Sequence, residues 1–325
     1  MEQRNFGRSG LRTSAIGFGT WPIGGTYVKE GYGGVDDREA VDAIRRAVDL
    51  GVTCFDTAPA YGLGRAEELL AEALGPRRHE VAIVTKCGIP YIPEERKFGR
   101  DATYAHVLES TEESLRRLRT DYVDLMLIHW PDEGTPAEET MRALNQLRDS
   151  GKARYVGVSN FSPQQMRDCL QYGPLHCEQV GYNLFDRRRE HETFPFCQEH
   201  GIGVMAYGPL AHGLLTGTMA AETTFAEQDW RAGGNAFGLP IFTQENLPKN
   251  VAVVERLKEF AAGRGYTVAQ LALAWVLRHP AVSVALVGAR TAAEIEAALP
   301  ALDWKLTEED LGAIDGIMRG AAGNA

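Results

Sequence analysis

Four residues of this sequence have the types and settings needed to move a proton: Asp56, Tyr61, Lys86 and His129. Asp56 follows the apolar run Val52–Phe55, Lys86 follows Val81–Val84, and His129 follows Leu125–Ile128, while Tyr61 lies shortly beyond Asp56. A free tyrosine titrates near about 10 and is a poor acid or base at neutral pH. A neighbouring ammonium favours the phenolate and lowers that value. A carboxylate paired to the ammonium holds it in place, and a histidine can hydrogen-bond a carbonyl oxygen and orient it. Such a group of four could protonate the alkoxide that forms when hydride reaches a carbonyl. Each residue alone also has a plainer reading: a turn aspartate, an amphipathic packing tyrosine, a solvated lysine at a strand end, and a partly buried histidine. The remaining histidines show no HExxH or paired metal spacing, so no metal is expected.

These residues need a scaffold that brings strand ends together. Along the chain, short apolar runs alternate with amphipathic helical patterns. Strands are expected at 15–18, 52–55, 81–84, 125–128, 155–158, 179–180, 203–206 and 284–287. Asn5-Phe6 and Leu11–Thr13, joined by a Gly7-Arg8-Ser9-Gly10 turn, read as a hairpin before them. Asp36 and Ser162 are placed as helix N-caps, with Pro163 opening the second of these helices. Further helices are expected at 65–74, 104–118, 136–150, 248–262, 267–278, 291–298 and 307–317. Eight strands alternating with helices predict a (β/α)8 TIM barrel over residues 1–325 as one domain, with an N-terminal β-hairpin and extra C-terminal helices. The alternative, an open doubly wound sheet, would show a glycine fingerprint after its first strand. Gly17-Phe18-Gly19 supplies only part of it. In a barrel, chemistry sits at the C-terminal face. Ser159-Asn160 follow the fifth strand, Gln179 lies in the sixth, Tyr207 follows the seventh and Arg290 the eighth.

Of the 325 residues, 34 are Lys or Arg and 44 are Asp or Glu, a net charge of −10. With no basic block, a nucleic-acid or anionic-membrane surface is not expected. No stretch is long and apolar enough to span a membrane. The N-terminus starts no apolar leader, which together with scattered cysteines suggests a reducing, cytoplasmic setting with free thiols. The five cysteines are Cys54, Cys87, Cys169, Cys177 and Cys197, without a CxxC.

The stretches FDTAPAYGLGRAEELL, VTKCG, DLMLIHWPD, YVGVSNF, AYGPLAHGLLTG and VALVGAR resemble the aldo-keto reductase superfamily, in that family's order, from residue 6 to about 298. The resemblance implies a (β/α)8 barrel that binds NADP(H) across its mouth and reduces a small-molecule aldehyde or ketone. It implies that Tyr61 is the acid/base, Lys86 and Asp56 the pair that tunes it, and His129 the residue that orients substrate. It further implies that Ser159, Asn160 and Gln179 hydrogen-bond the nicotinamide carboxamide and that Tyr207 stacks on the ring. Gly208, Pro209 and Leu210 would begin the loop beneath the pyrophosphate, with Gly288 in the last motif. Arg290 would read the 2′-phosphate, a role suited to a guanidinium's paired donors, and Glu294 would lie near the adenine.

The chain departs from the family pattern at three places. Gly208 stands where a serine is common, Thr218 where a lysine is common, and Ala298 where an asparagine is common. Trp21 and Trp130 lie just after strands and are expected to wall the substrate pocket, with Trp230 and Phe237 of the long 208–247 loop as further candidates. Specificity would reside in loops 22–35, 88–103 and 208–247. Two other functions compete: a non-enzymatic nicotinamide-nucleotide sensor or regulatory subunit on the same fold, and a barrel aldolase using Lys86 as a Schiff-base nucleophile.

Overall fold

The computed structural model of the protein describes residues 1–25 and 31–324. Eight strands form a closed parallel barrel: β1 (Ile16–Gly19), β2 (Cys54–Asp56), β3 (Ala82–Cys87), β4 (Val123–Ile128), β5 (Ala153–Ser159), β6 (Cys177–Gly181), β7 (Gly203–Tyr207) and β8 (Val282–Gly288). They pair in sequence order and β8 closes onto β1. Because every strand is covered on its outer side by helices, the runs are apolar almost throughout.

Among the described residues, ten α-helices surround them: α1 (Asp37–Asp49), α2 (Arg65–Leu74), α3 (Tyr104–Leu118), α4 (Ala137–Asp149), α5 (Pro163–Leu170), α6 (Thr193–His200), α7 (Asn246–Ala262), α8 (Val268–Leu277), α9 (Ala292–Ala298) and α10 (Glu308–Met318). Local chemistry sets their starts. Asp36 accepts hydrogen bonds from the backbone N–H groups of Arg38 and Glu39. Ser162 and Gln165 form a reciprocal capping box at α5, and Thr267 and Gln270 form another at α8. Each cap satisfies donors that the first helical turn leaves open.

The hairpin Gln3–Asn5 with Arg12–Ser14 closes the N-terminal end of the barrel. Phe6, 1% exposed, plugs it together with Cys54, Val84, Leu125, Leu127, Cys177, Met205, Val284 and Leu286. A side chain at Gly203 would begin 2.4 Å from the Phe6 ring, so the plug needs glycine there. With that end sealed by apolar atoms, polar groups converge at the opposite end.

The structure adds elements that patterning missed. α6 has no side-chain cap, carries Pro195 in its first turn and buries Phe194, Phe196 and Cys197, which breaks an amphipathic rhythm. Tyr91–Ile92 and Lys97–Phe98 form a small antiparallel pair in the β3–α3 loop. The expected 208–247 loop is a long connection that ends at residue 245, where α7 begins two residues earlier than expected, with 3-10 turns at Ala211–Thr216 and Trp230–Gly233. All five cysteines are buried and unpaired. No helix among the described residues is long and apolar enough to cross a membrane.

Candidate active site

Asp56, Lys86 and His129 stand at the C-terminal ends of adjacent strands β2, β3 and β4, and Tyr61 lies in the turn that leads into α2. The Lys86 side chain is fully buried and Asp56 is 3% exposed. Lys86 Nζ donates to both Asp56 carboxylate oxygens at 2.8 Å, to the Thr57 carbonyl at 2.9 Å and to Tyr61 Oη at 3.1 Å. An ammonium has three hydrogens and no lone pair. One hydrogen each for the carboxylate, the carbonyl and the phenol uses all of them. Tyr61 Oη therefore accepts from Lys86, and its own O–H is left for something else.

Burial pushes the Asp56 carboxyl up and the Lys86 ammonium down, while their mutual attraction opposes both shifts. Tyr61 differs from expectation. Burial, reinforced by the Asp56 charge, holds its phenol well above the ordinary tyrosine value rather than below it. The phenol is thus a neutral proton donor that accepts a charged hydrogen bond on its oxygen. Burial, with Lys86 and Arg100 nearby, holds His129 well below its ordinary value and keeps the imidazole uncharged. Its ring meets Tyr61 edge-on at 5.7 Å. His129 Nδ1 is buried without a hydrogen-bond partner among the described residues.

The other half of the mouth is built by β5 to β7. Asn160 adopts φ 64°, a conformation asparagine tolerates better than most residues. This turn lets its side chain donate to Ser159 Oγ at 3.0 Å and accept from the Tyr207 hydroxyl at 2.9 Å. Ser159 Oγ in turn donates to the Gln179 carbonyl at 2.9 Å. Tyr207 lies against Gly181, where a Cβ would begin 3.2 Å from its ring. Gln179 reaches across the barrel, and its Nε2 donates to Asp56 Oδ1 at 2.7 Å.

Aromatic rings cover these groups. Trp21 stacks on Tyr61 with centroids 6.1 Å apart and on Trp230 at 5.6 Å. Trp130 stacks on Phe237 at 6.1 Å, and the Arg100 guanidinium lies over Trp130. Phe237 also meets Tyr207 at 5.3 Å and has φ 48°, an unusual conformation for a bulky residue. Both expected wall residues, Trp21 and Trp130, therefore lie at the mouth. Residues 26–30 of the 22–35 loop lie outside the described residues.

Gly208, Pro209 and Leu210 follow Tyr207 directly. Gly208 has φ 60°, and a Cβ there would begin 2.8 Å from the His212 ring, which explains why a serine is absent. Gly288 ends β8 against Pro22. Arg290 is exposed beside the start of α9. Glu294 folds back to it, accepting its backbone N–H at 2.7 Å and approaching its guanidinium at 3.6 Å. Thr218 is held by Thr216 at 2.8 Å, and Ala298 is buried in the core. Sequence reasoning missed the Thr57 carbonyl, which an unremarkable threonine next to Asp56 gave no reason to select. It also missed Arg100, in an irregular loop, and His212, in a short 3-10 turn, neither of which carries a periodic signal. Among the described residues, no group of three or more His, Cys, Asp or Glu could hold a metal.

A sequence profile described as the Aldo/keto reductase family matches residues 15–319. The aldo-keto reductase YhdN of Bacillus subtilis (strain 168) is 39% identical, covering 95% of this chain and 91% of its own. The NADH-specific methylglyoxal reductase of Escherichia coli (strain K12) is 33% identical, covering 95% and 96%. The solved structure of a glycerol dehydrogenase from Gluconobacter oxydans superposes with a TM-score of 0.88 at 36% identity, covering 99% of this chain and 97% of that one. An eight-stranded barrel with matching sequence over nearly its whole length places the chain in the aldo/keto reductase family.

Proposed function

We propose that this family member is an NADPH-dependent reductase of aldehydes or ketones. The observation that carries the reading is the Lys86 ammonium, paired to Asp56 and donating to Tyr61 Oη at 3.1 Å. That arrangement stabilises negative charge on the phenol oxygen as it gives up its proton. Tyr61 is the general acid, Lys86 and Asp56 tune it, and the uncharged His129 holds the carbonyl oxygen within reach.

The residues present suit a nicotinamide cofactor. Ser159, Asn160 and Gln179 supply hydroxyl and amide groups of the kind a carboxamide pairs with, and Tyr207 offers a ring held flat by Gly181. When bound, the cofactor would supply the hydride. Gly208, Pro209, Leu210 and Gly288 would line its path, and Arg290 with Glu294 would meet its far end. The aromatic cover of Trp21, Trp130, Trp230 and Phe237 excludes water from the transfer, which strengthens every electrostatic contact inside. Lys86 is fully buried with its donors engaged, so a Schiff base at Nζ would first have to dismantle the site.

The test is NADPH oxidation by the purified protein against a panel of aldehydes, ketones and sugars, with NADH in parallel. Turnover with at least one carbonyl class and a preference for NADPH is expected. Tight cofactor binding without turnover on any of them would favour a nucleotide sensor instead. A preference for NADH, the cofactor named for the Escherichia coli relative, would overturn the cofactor assignment.

A further inference from the structure

Strands β2 and β6 lie four places apart in an eight-stranded barrel, on opposite walls. The proton-handling groups Asp56, Tyr61, Lys86 and His129 belong to the β2–β4 side, while Ser159, Asn160 and Tyr207 belong to the β5–β7 side. The bond from Gln179 Nε2 to Asp56 Oδ1, 2.7 Å long between buried groups 123 residues apart, spans the barrel and joins the two sides. Gln179 stands directly on the apolar plug, with Met205 Sδ 3.8 Å from the same nitrogen. At 2% exposure its amide is out of reach of bulk solvent and must find a partner inside the barrel. Its register against Ser159 on β5 and Met205 on β7 fixes where the amide can reach.

We propose that Gln179 is a positioning residue of the proton-donating chain as well as a cofactor contact, anchoring the Asp56 carboxylate so that Lys86 can keep one hydrogen on Tyr61. Resting on the reductase reading, this deepens it. Asp56 has two oxygens to satisfy in a site that burial makes costly for its charge. Lys86 must divide three hydrogens among the carboxylate, the Thr57 carbonyl and Tyr61. A neutral donor on Oδ1 leaves the ammonium free to make that division. Without it, the carboxylate would draw more heavily on Lys86 or take up a proton itself. In either event the geometry at Tyr61 Oη changes. The amide has a second end, its carbonyl oxygen, so holding Asp56 through the N–H does not prevent contact with a carboxamide.

The titratable groups facing Asp56 are Lys86 on β3, Tyr61 in the β2–α2 turn, Cys54 on β2 and Cys177 on β6. Burial pushes both thiols up, so they stay uncharged. Burial also raises Asp56, and the bonds from Lys86 and Gln179 oppose that rise.

Two variants test this: Gln179→Met, which keeps the volume and deletes the donor, and Gln179→Glu, which keeps the shape and replaces the donor with a second carboxyl. The Asp56 carboxyl is titrated by carbon NMR in the cofactor-free protein, with Asp56→Asn identifying its signal. NADPH affinity and the pH profile of carbonyl reduction are measured alongside. A hydrogen bond to a charged group is worth about one to two pH units of titration. Asp56 is therefore expected to titrate about one to two units higher in Gln179→Met, and to hold a proton to higher pH in Gln179→Glu. The acid limb of the activity profile should move in the same direction. Weaker NADPH binding with Asp56 titrating as in the wild type would overturn the proposal and leave the amide to the cofactor alone. Because the NMR titration needs neither cofactor nor turnover, it decides the point even if no carbonyl substrate is reduced.

Discussion

Lys86 Nζ stands 3.1 Å from Tyr61 Oη and 2.8 Å from both oxygens of Asp56, with all of its side chain out of contact with solvent. A buried ammonium in this position is held by its counter-ion rather than by water. Removing either partner leaves the other charge uncompensated.

Lys86→Met should abolish carbonyl reduction and lower stability at neutral pH by about 3–5 kcal/mol, the usual cost of breaking a buried ion pair from one side. In the variant only the Gln179 bond still offsets the burial of Asp56, so its folded-state pKa moves further above its unfolded one. The folded state binds the extra proton, so the deficit should shrink as pH falls. Urea unfolding at neutral and acid pH checks this; a variant as stable as wild type at neutral pH would show that the pair contributes little.

The architecture could be read from the chain because its signals are local. Asp36 and Ser162 announce helix starts within a few residues, and continuous β-rich runs such as Ala82–Val84 announce buried strands. The candidate residues were found because they sit at the ends of those runs. What remained hidden depends on contacts between distant segments. Gln179 meets Asp56 only because the barrel closes, and Phe237 reaches Tyr207 only through an aperiodic loop. The acidity of Tyr61 is hidden for a related reason: sequence identifies the ammonium beside it but not the degree of burial, which works in the opposite direction.

Burial holds His212 down to about 4, and His129 well below 6.5. Between those values and 6.5 the unfolded chain binds the protons that the folded chain refuses. Stability should therefore rise with pH through this window and be lost as pH falls from 6.5 toward about 4. Each such histidine contributes up to about 1.4 kcal/mol per pH unit. His212→Asn, which suits the positive φ of that position, should flatten the slope measured by urea unfolding. An unchanged slope would mean that His212 titrates normally.

Arg290 and Glu294 pair at the exposed start of α9. A charged hydrogen bond is worth roughly 1.5–3 kcal/mol, and solvent screening places this half-exposed group at the lower end. Arg290→Ala should weaken NADPH by about tenfold and leave NADH unchanged, while Glu294→Gln should tighten NADPH by freeing the guanidinium. Titration of both cofactors by nicotinamide fluorescence separates the cases. Equal loss of NADPH and NADH in Arg290→Ala would make the arginine a structural residue.

In the proposed reaction the Tyr61 phenol delivers the proton. The most direct test of that role is single-turnover hydride transfer in Tyr61→Phe, a change that removes one oxygen from the site. The rate should fall by about 10²–10⁴-fold, the usual contribution of a general acid, with NADPH affinity unchanged because the proposed role of the phenol does not include holding the cofactor. Transfer at the wild-type rate would contradict that role and move the proton donor elsewhere, with His129 the next group to examine.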